Sequence, residues 1–93
     1  MFEITMNEDK VVLSGRFDAS QVETASHFFE KITRTTVVDF KELDYISSAG
    51  LSVLLATQKR LSEKNQQLKL TNMSNHIRDV FKYAGFDMIF EIG

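Results

Sequence analysis

A chain of 93 residues, 43% hydrophobic and 26% charged, has the size and composition of one folded domain spanning 1–93, which excludes wholesale disorder. Its net charge of −2 argues against nucleic acid as a partner, because phosphate backbones select clustered Lys and Arg. It has no cysteine, and His27 and His76 stand far apart in sequence, so no metal or cofactor is expected.

The opening MFEITMNEDK has neither a basic start nor an apolar h-region. No run approaches the roughly 20 apolar residues of a membrane span. A cytoplasmic protein without direct membrane insertion is expected. Phe2, Ile4 and Met6 alternate with polar neighbours, and Val11, Leu13, Gly15 and Phe17 alternate again after Asn7-Glu8-Asp9, which predicts a β-hairpin. From Ser20 the period becomes helical: Val22, Ala25, Phe29 and Ile32 share a face, with Ser20 as N-cap and Glu23 completing a capping box.

Thr36-Val37-Val38-Asp39-Phe40 reads as a buried strand leading into a charged turn at Lys41-Glu42-Leu43-Asp44. Leu51, Leu54, Leu55, Gln58 and Leu61 then keep i, i+3, i+4, i+7 spacing, and Lys59, Arg60 and Lys64 suit a helix C-terminus. Either Ser47 or Ser48 opens that helix. Leu68 and Leu70 mark another strand, Ser74 caps a helix bearing Ile77, Val80, Phe81 and Ala84, and Gly85 closes it. Met88-Ile89-Phe90 is expected to be the last strand. The order ββαβαβαβ predicts an α/β domain, a mixed and mostly parallel sheet with helices packed against it.

The segment Ser47-Ser48-Ala49-Gly50 holds two hydroxyls and a glycine at the mouth of the most apolar helix. Capping explains one serine and leaves the second serine and the glycine unexplained. A G-x-S-x-G nucleophile elbow is only half present, since Ile46 stands at its first glycine, and Glu63 would lie far along the helix from its N-terminus. Neither G-x-x-x-x-G-K-[ST] nor G-x-G-x-x-G occurs. The serines have no catalytic company, and no enzyme is expected. A hydroxyl at a helix N-terminus sits where an added phosphate is favoured by free N–H groups and the helix dipole, so a modified serine remains.

The residues Asp39-Phe40, Leu43 to Leu51 and Ser14-Gly15-Arg16-Phe17-Asp18 resemble the STAS domain of bacterial anti-sigma factor antagonists, as does the closing Val80 to Phe86. Aligned on Gly50-Leu51, the family's phosphorylated serine falls on Ser48, and Ser47 replaces the aspartate usual before it; Ser47 is the second choice. Asp18 matches the acidic residue beside that site, and Ala49, Gly50 and Leu51 complete the matching motif. The resemblance implies a phosphoswitch. The unmodified chain would bind a GHKL-type serine kinase that acts as an anti-sigma factor, phosphorylation of Ser48 would release it, and a serine phosphatase would reset it. It also implies two alternatives: a subunit binding the ATPase of an ABC-type phospholipid transporter, or a regulator in a two-component or biofilm pathway. The sequence leaves the oligomeric state open.

Overall fold

The computed structural model describes residues 1–93. Strands β1 (Glu3–Asn7) and β2 (Lys10–Phe17) form the expected hairpin, followed by α1 (Val22–Glu30), β3 (Thr36–Ile46), α2 (Ser48–Ser62), β4 (Leu68–Thr71), α3 (Asn75–Tyr83) and β5 (Glu91–Ile92). The five strands lie in the order β1-β2-β3-β4-β5. Only the β1–β2 pair is antiparallel. Because each parallel crossover steps the same way along the sheet and such crossovers are right-handed, all three helices stack on one face.

Burial follows from that layering. Val11, Leu13 and Phe17 of β2, Val38 and Phe40 of β3, and Leu68 and Leu70 of β4 face the helices and are buried. They meet Ala25 and Phe29 of α1, Leu51, Leu54 and Leu61 of α2, and Ile77 and Phe81 of α3 in one core. All eight phenylalanines of the chain are either in this core or packed on its margin, as hydrophobic burial requires. Met1, Met6 and Met88 are exposed, while Met73 is buried.

The sequence reading needs three corrections. The charged segment Lys41-Glu42-Leu43-Asp44 is no turn but part of an 11-residue β3. Its pairing with β2 slips between Val12 and Ser14 and again between Gly15 and Arg16, each time by one extra β3 residue. Such bulges place the buried residues Phe40, Leu43 and Ile46 three apart instead of two, which destroys the period-two signature of a strand. The cap before α1 is Asp18 rather than Ser20: its carboxylate accepts from the Ser20 N–H, and Gln21 reaches back to the Asp18 N–H, making a capping box on a 3-10 turn at Ala19–Gln21. Residues 86–88 also form a 3-10 turn, so the last strand is Glu91–Ile92 and not Met88-Ile89-Phe90.

Other expectations hold. Ser74 Oγ accepts from the Ile77 N–H at 3.2 Å, capping α3, and Gly85 follows that helix in the left-handed conformation, φ 76°. Arg60 of α2 donates to the Ile32 and Phe29 carbonyls, both at 2.8 Å, supplying partners for the end of α1. Gln58 does similar service for β4, its Oε1 accepting the Leu68 N–H at 2.8 Å.

The face of the sheet without helices carries Val12, Ser14, Val37, Asp39, Lys69 and Thr71. Asp39 is only 7% exposed there. Burial pushes its carboxyl pKa up, but the Lys41 N–H (2.9 Å), the Asn72 amide (3.1 Å) and the Lys10 ammonium (3.1 Å) together hold it below the ordinary 3.8. A depressed folded pKa contributes stability that is present above 3.8 and is lost as the pH falls through the lower folded value. Chemical denaturation between about pH 5 and about pH 3 should therefore show declining stability in the wild type. The decline should be shallower in Asp39→Asn, and equal slopes would contradict the account.

Candidate functional site

The C-terminal ends of β2 and β3 meet the start of α2, and that junction is fixed by small, local interactions. Phe17 pairs with Ile46 in the β2–β3 ladder, and one residue on the Ser47 N–H donates to the Phe17 carbonyl at 2.9 Å. Ser47 then turns the chain into the helix. Its Oγ accepts the Gly50 N–H at 3.1 Å and its carbonyl accepts the Leu51 N–H at 2.9 Å, as an N-cap does.

Gly50 occupies the first turn because the helix lies directly on the sheet's end. A Cβ built there would stand 3.0 Å from Ile46 Cγ1 and 3.1 Å from Phe17 Cγ. Phe17 cannot easily yield, being fully buried and stacked on Phe2 with ring centroids 4.6 Å apart. Close packing at this contact thus favours glycine and opposes the roughly 0.8–1.0 kcal/mol that alanine would gain in helix propensity.

The two serines consequently have different chemistry. Ser47 is half-buried, and its oxygen is committed to the cap. Ser48, the first residue of α2, is exposed, and its hydroxyl projects from a helix end whose N–H groups and dipole favour an anion. Of the other expected site residues, Ala49 is half-buried, while Gly50 and Leu51 are buried and seat the helix.

Asp18 follows Phe17, whose carbonyl accepts the Ser47 N–H, so the backbone of Asp18 lies next to that of Ser47. The Ser20 hydroxyl at 2.6 Å and the Ser20 N–H at 2.9 Å hold its carboxyl pKa down, with the Arg16 charge assisting against slight burial. It is an anion at neutral pH, directed first at its own turn.

Arg16 and Tyr45 were not anticipated at this site. They are opposite one another in the β2–β3 register, and the Arg16 guanidinium lies 4.3 Å from the centroid of the Tyr45 ring, a cation–π contact. Twenty-nine positions separate them in sequence, and only the doubly bulged register aligns them. No local pattern could have revealed the pair.

A mixed, mostly parallel α/β sheet whose central helix opens on a serine pair, the first of them its cap, defines the class of protein. The chain belongs to the STAS family: residues 1–91 match the family model described as "Mlab, STAS domain". Among individual relatives, it is 39% identical over 82 residues to BtrV of Bordetella bronchiseptica, a candidate anti-sigma factor antagonist, covering 88% of this chain and 70% of that protein. It is 27% identical to a STAS-domain-containing protein of Pseudomonas aeruginosa, covering 88% of this chain and 84% of the relative.

Solved structures share the fold. The unphosphorylated anti-sigma factor antagonist SpoIIAA superposes with a TM-score of 0.70 at 22% identity, over 100% of this chain and 87% of its own. A candidate anti-sigma factor antagonist from Thermotoga maritima gives 0.81 at 16% identity, over 98% and 84%. No helix of the present chain is long and apolar enough to cross a membrane.

The division of labour between the serines has a direct test in folding stability. Ser47→Ala should cost about 1 kcal/mol through the lost cap, whereas Ser48→Ala should stay within about 0.5 kcal/mol of wild type. Gly50→Val should cost about 1–3 kcal/mol by overpacking against Phe17 and Ile46. Urea unfolding followed by circular dichroism measures all three, and equal costs for the two serine variants would contradict the assignment of the cap.

Proposed function

We propose that this chain is an anti-sigma factor antagonist-like phosphoswitch, binding a GHKL-type serine kinase when unmodified and released by phosphorylation of Ser48. The observation that carries the reading is the exposed Ser48 hydroxyl beside a Ser47 already committed to capping. The 39% identity to BtrV supports the same class of partner. The chain would be a regulatory substrate in signal transduction, acted on in the cytoplasm by a kinase and a serine phosphatase, and would catalyse nothing itself.

In the modification step the Ser48 oxygen attacks the γ-phosphorus of ATP, the bond to the ADP oxygen breaks, and a base of the kinase takes the serine proton. The product carries about −1.5 to −2 charges at neutral pH. Burying that charge in an interface without a cationic partner costs several kcal/mol, and each 1.4 kcal/mol is tenfold in affinity. The fold itself should change little. The α2 dipole favours the phosphate by about 0.3–1 kcal/mol, while the nearby Asp18 carboxylate opposes it. Asp18, Ser47 and Ala49 then form the rim of the binding surface around Ser48, with Gly50 and Leu51 holding the helix in place beneath it.

A second reading rests on the family model, whose description names Mlab. Under it the same surface binds the ATPase of an ABC-type phospholipid transporter, with no modification. Capture experiments from the native cells distinguish the two. Wild type and Ser48→Ala should both retain a GHKL kinase, Ser48→Asp should retain at least tenfold less, and ATP should label wild type but not Ser48→Ala. Labelling of Ser48→Ala, or recovery of an ABC ATPase with no kinase, would overturn the switch.

A further inference from the structure

The two edges of the sheet differ. The β5 edge is two residues long, too short to template another strand. The β1 edge is five residues, EITMN, with Glu3 its one charge, and it has no proline, no lysine and no bulge within the strand to block edge pairing. We propose that the free edge of β1 pairs antiparallel with the same edge of a second copy of this chain, forming a two-fold dimer with one continuous sheet.

Hydrogen-bond parity supplies the first argument. The hairpin has a two-residue turn, Glu8-Asp9, closed by the pair Asn7 and Lys10. In a hairpin so closed the hydrogen-bonded pairs alternate. Asn7, Thr5 and Glu3 therefore spend their backbone groups on β2, and Ile4 and Met6 direct theirs outward. A two-fold axis at Thr5 sets Ile4 opposite Met6 of the second copy, and Met6 opposite its Ile4. Every outward N–H and C=O of these residues then meets a partner.

The side chains agree with that register. Glu3 faces Asn7 of the second copy and Thr5 faces Thr5, so no like charges oppose one another and a favourable threonine pair stands on the axis. Ile4 and Met6 lie on the helix-covered face. There Phe2, Ile4, Thr24, His27, Phe28 and Lys31 line an open groove of about 290 Å3 between β1 and α1. Met6 is 48% exposed in the single chain, and in the dimer it lies beside the other copy's Ile4, at the mouth of this groove. Apolar surface left open on each copy is covered by the other.

The axis runs through the sheet and reverses the strand direction, so the two α2 N-termini point to opposite ends of the dimer. Ser48 stays accessible in both copies, and dimerisation is independent of the function proposed above. The paired edge is smaller than the roughly 1,600 Å2 of a standard stable interface, so association should depend on concentration.

Sedimentation equilibrium from about 10 µM to about 1 mM should show the mass rising from 10.7 kDa towards twice that value. Met6→Pro removes the outward N–H and the Met6 side chain while leaving the β1–β2 hydrogen bonds in place, and should remain monomeric. Met6→Lys keeps every backbone donor and should weaken association at least tenfold. Amide exchange supplies an independent reading: protection of Ile4 and Met6 should increase with concentration, while that of Thr5 stays constant. A mass of 10.7 kDa throughout, a Met6→Pro variant that associates like wild type, or Ile4 and Met6 exchange that ignores concentration would each overturn the proposal.

Discussion

Gly50 touching Phe17 and Ile46 is the contact on which the rest of the site depends. Because a Cβ at position 50 would stand only 3.0 Å from Ile46 Cγ1 and 3.1 Å from Phe17 Cγ, glycine lets the helix start close against the C-terminal ends of β2 and β3. That seating allows the Ser47 N–H to reach the Phe17 carbonyl and its hydroxyl to cap the helix. With Ser47 committed, Ser48 is the hydroxyl left outside, at the positive end of the helix dipole. Packing, capping and exposure are thus one arrangement, and a side chain at position 50 would disturb all three.

The same economy holds around the core. Right-handed crossovers taken in one direction put α1, α2 and α3 on a single face, and the ends of these elements are tied by long polar side chains instead of by extra loops. Arg60 holds the end of α1. Gln58 holds the start of β4. Asp39, on the face without helices, keeps its charge by accepting the Lys41 N–H and the Asn72 amide and by pairing with Lys10. A small domain with a two-layer core gains rigidity from such ties where bulk burial is limited.

Much of this was legible in the sequence wherever one period persisted. The hairpin, α2 and α3 with its Ser74 cap follow from alternation and helical spacing, and the STAS motif around Ser48 was visible as a resemblance. The second half of β3 was not legible, because two bulges set Phe40, Leu43 and Ile46 three apart. The cap at Asp18 is hidden for a related reason: Ser20 and Glu23 also satisfy the capping-box pattern, and only the 3-10 turn at Ala19–Gln21 decides for Asp18. The role of Gly50 and the Arg16–Tyr45 contact depend on distances between strands, which no local pattern encodes. The serines could be ranked by resemblance alone until the hydrogen bond to Gly50 distinguished the cap from the free hydroxyl.

The central claim is that Ser48 is the group on which a signal is written. Intact-mass measurement and peptide mapping of the protein isolated from its own cells, across growth, stress and stationary phase, test it most directly. The account predicts one added phosphate, located on Ser48, in a fraction that varies with condition. A phosphate on Ser47 instead, or none under any condition, would contradict it.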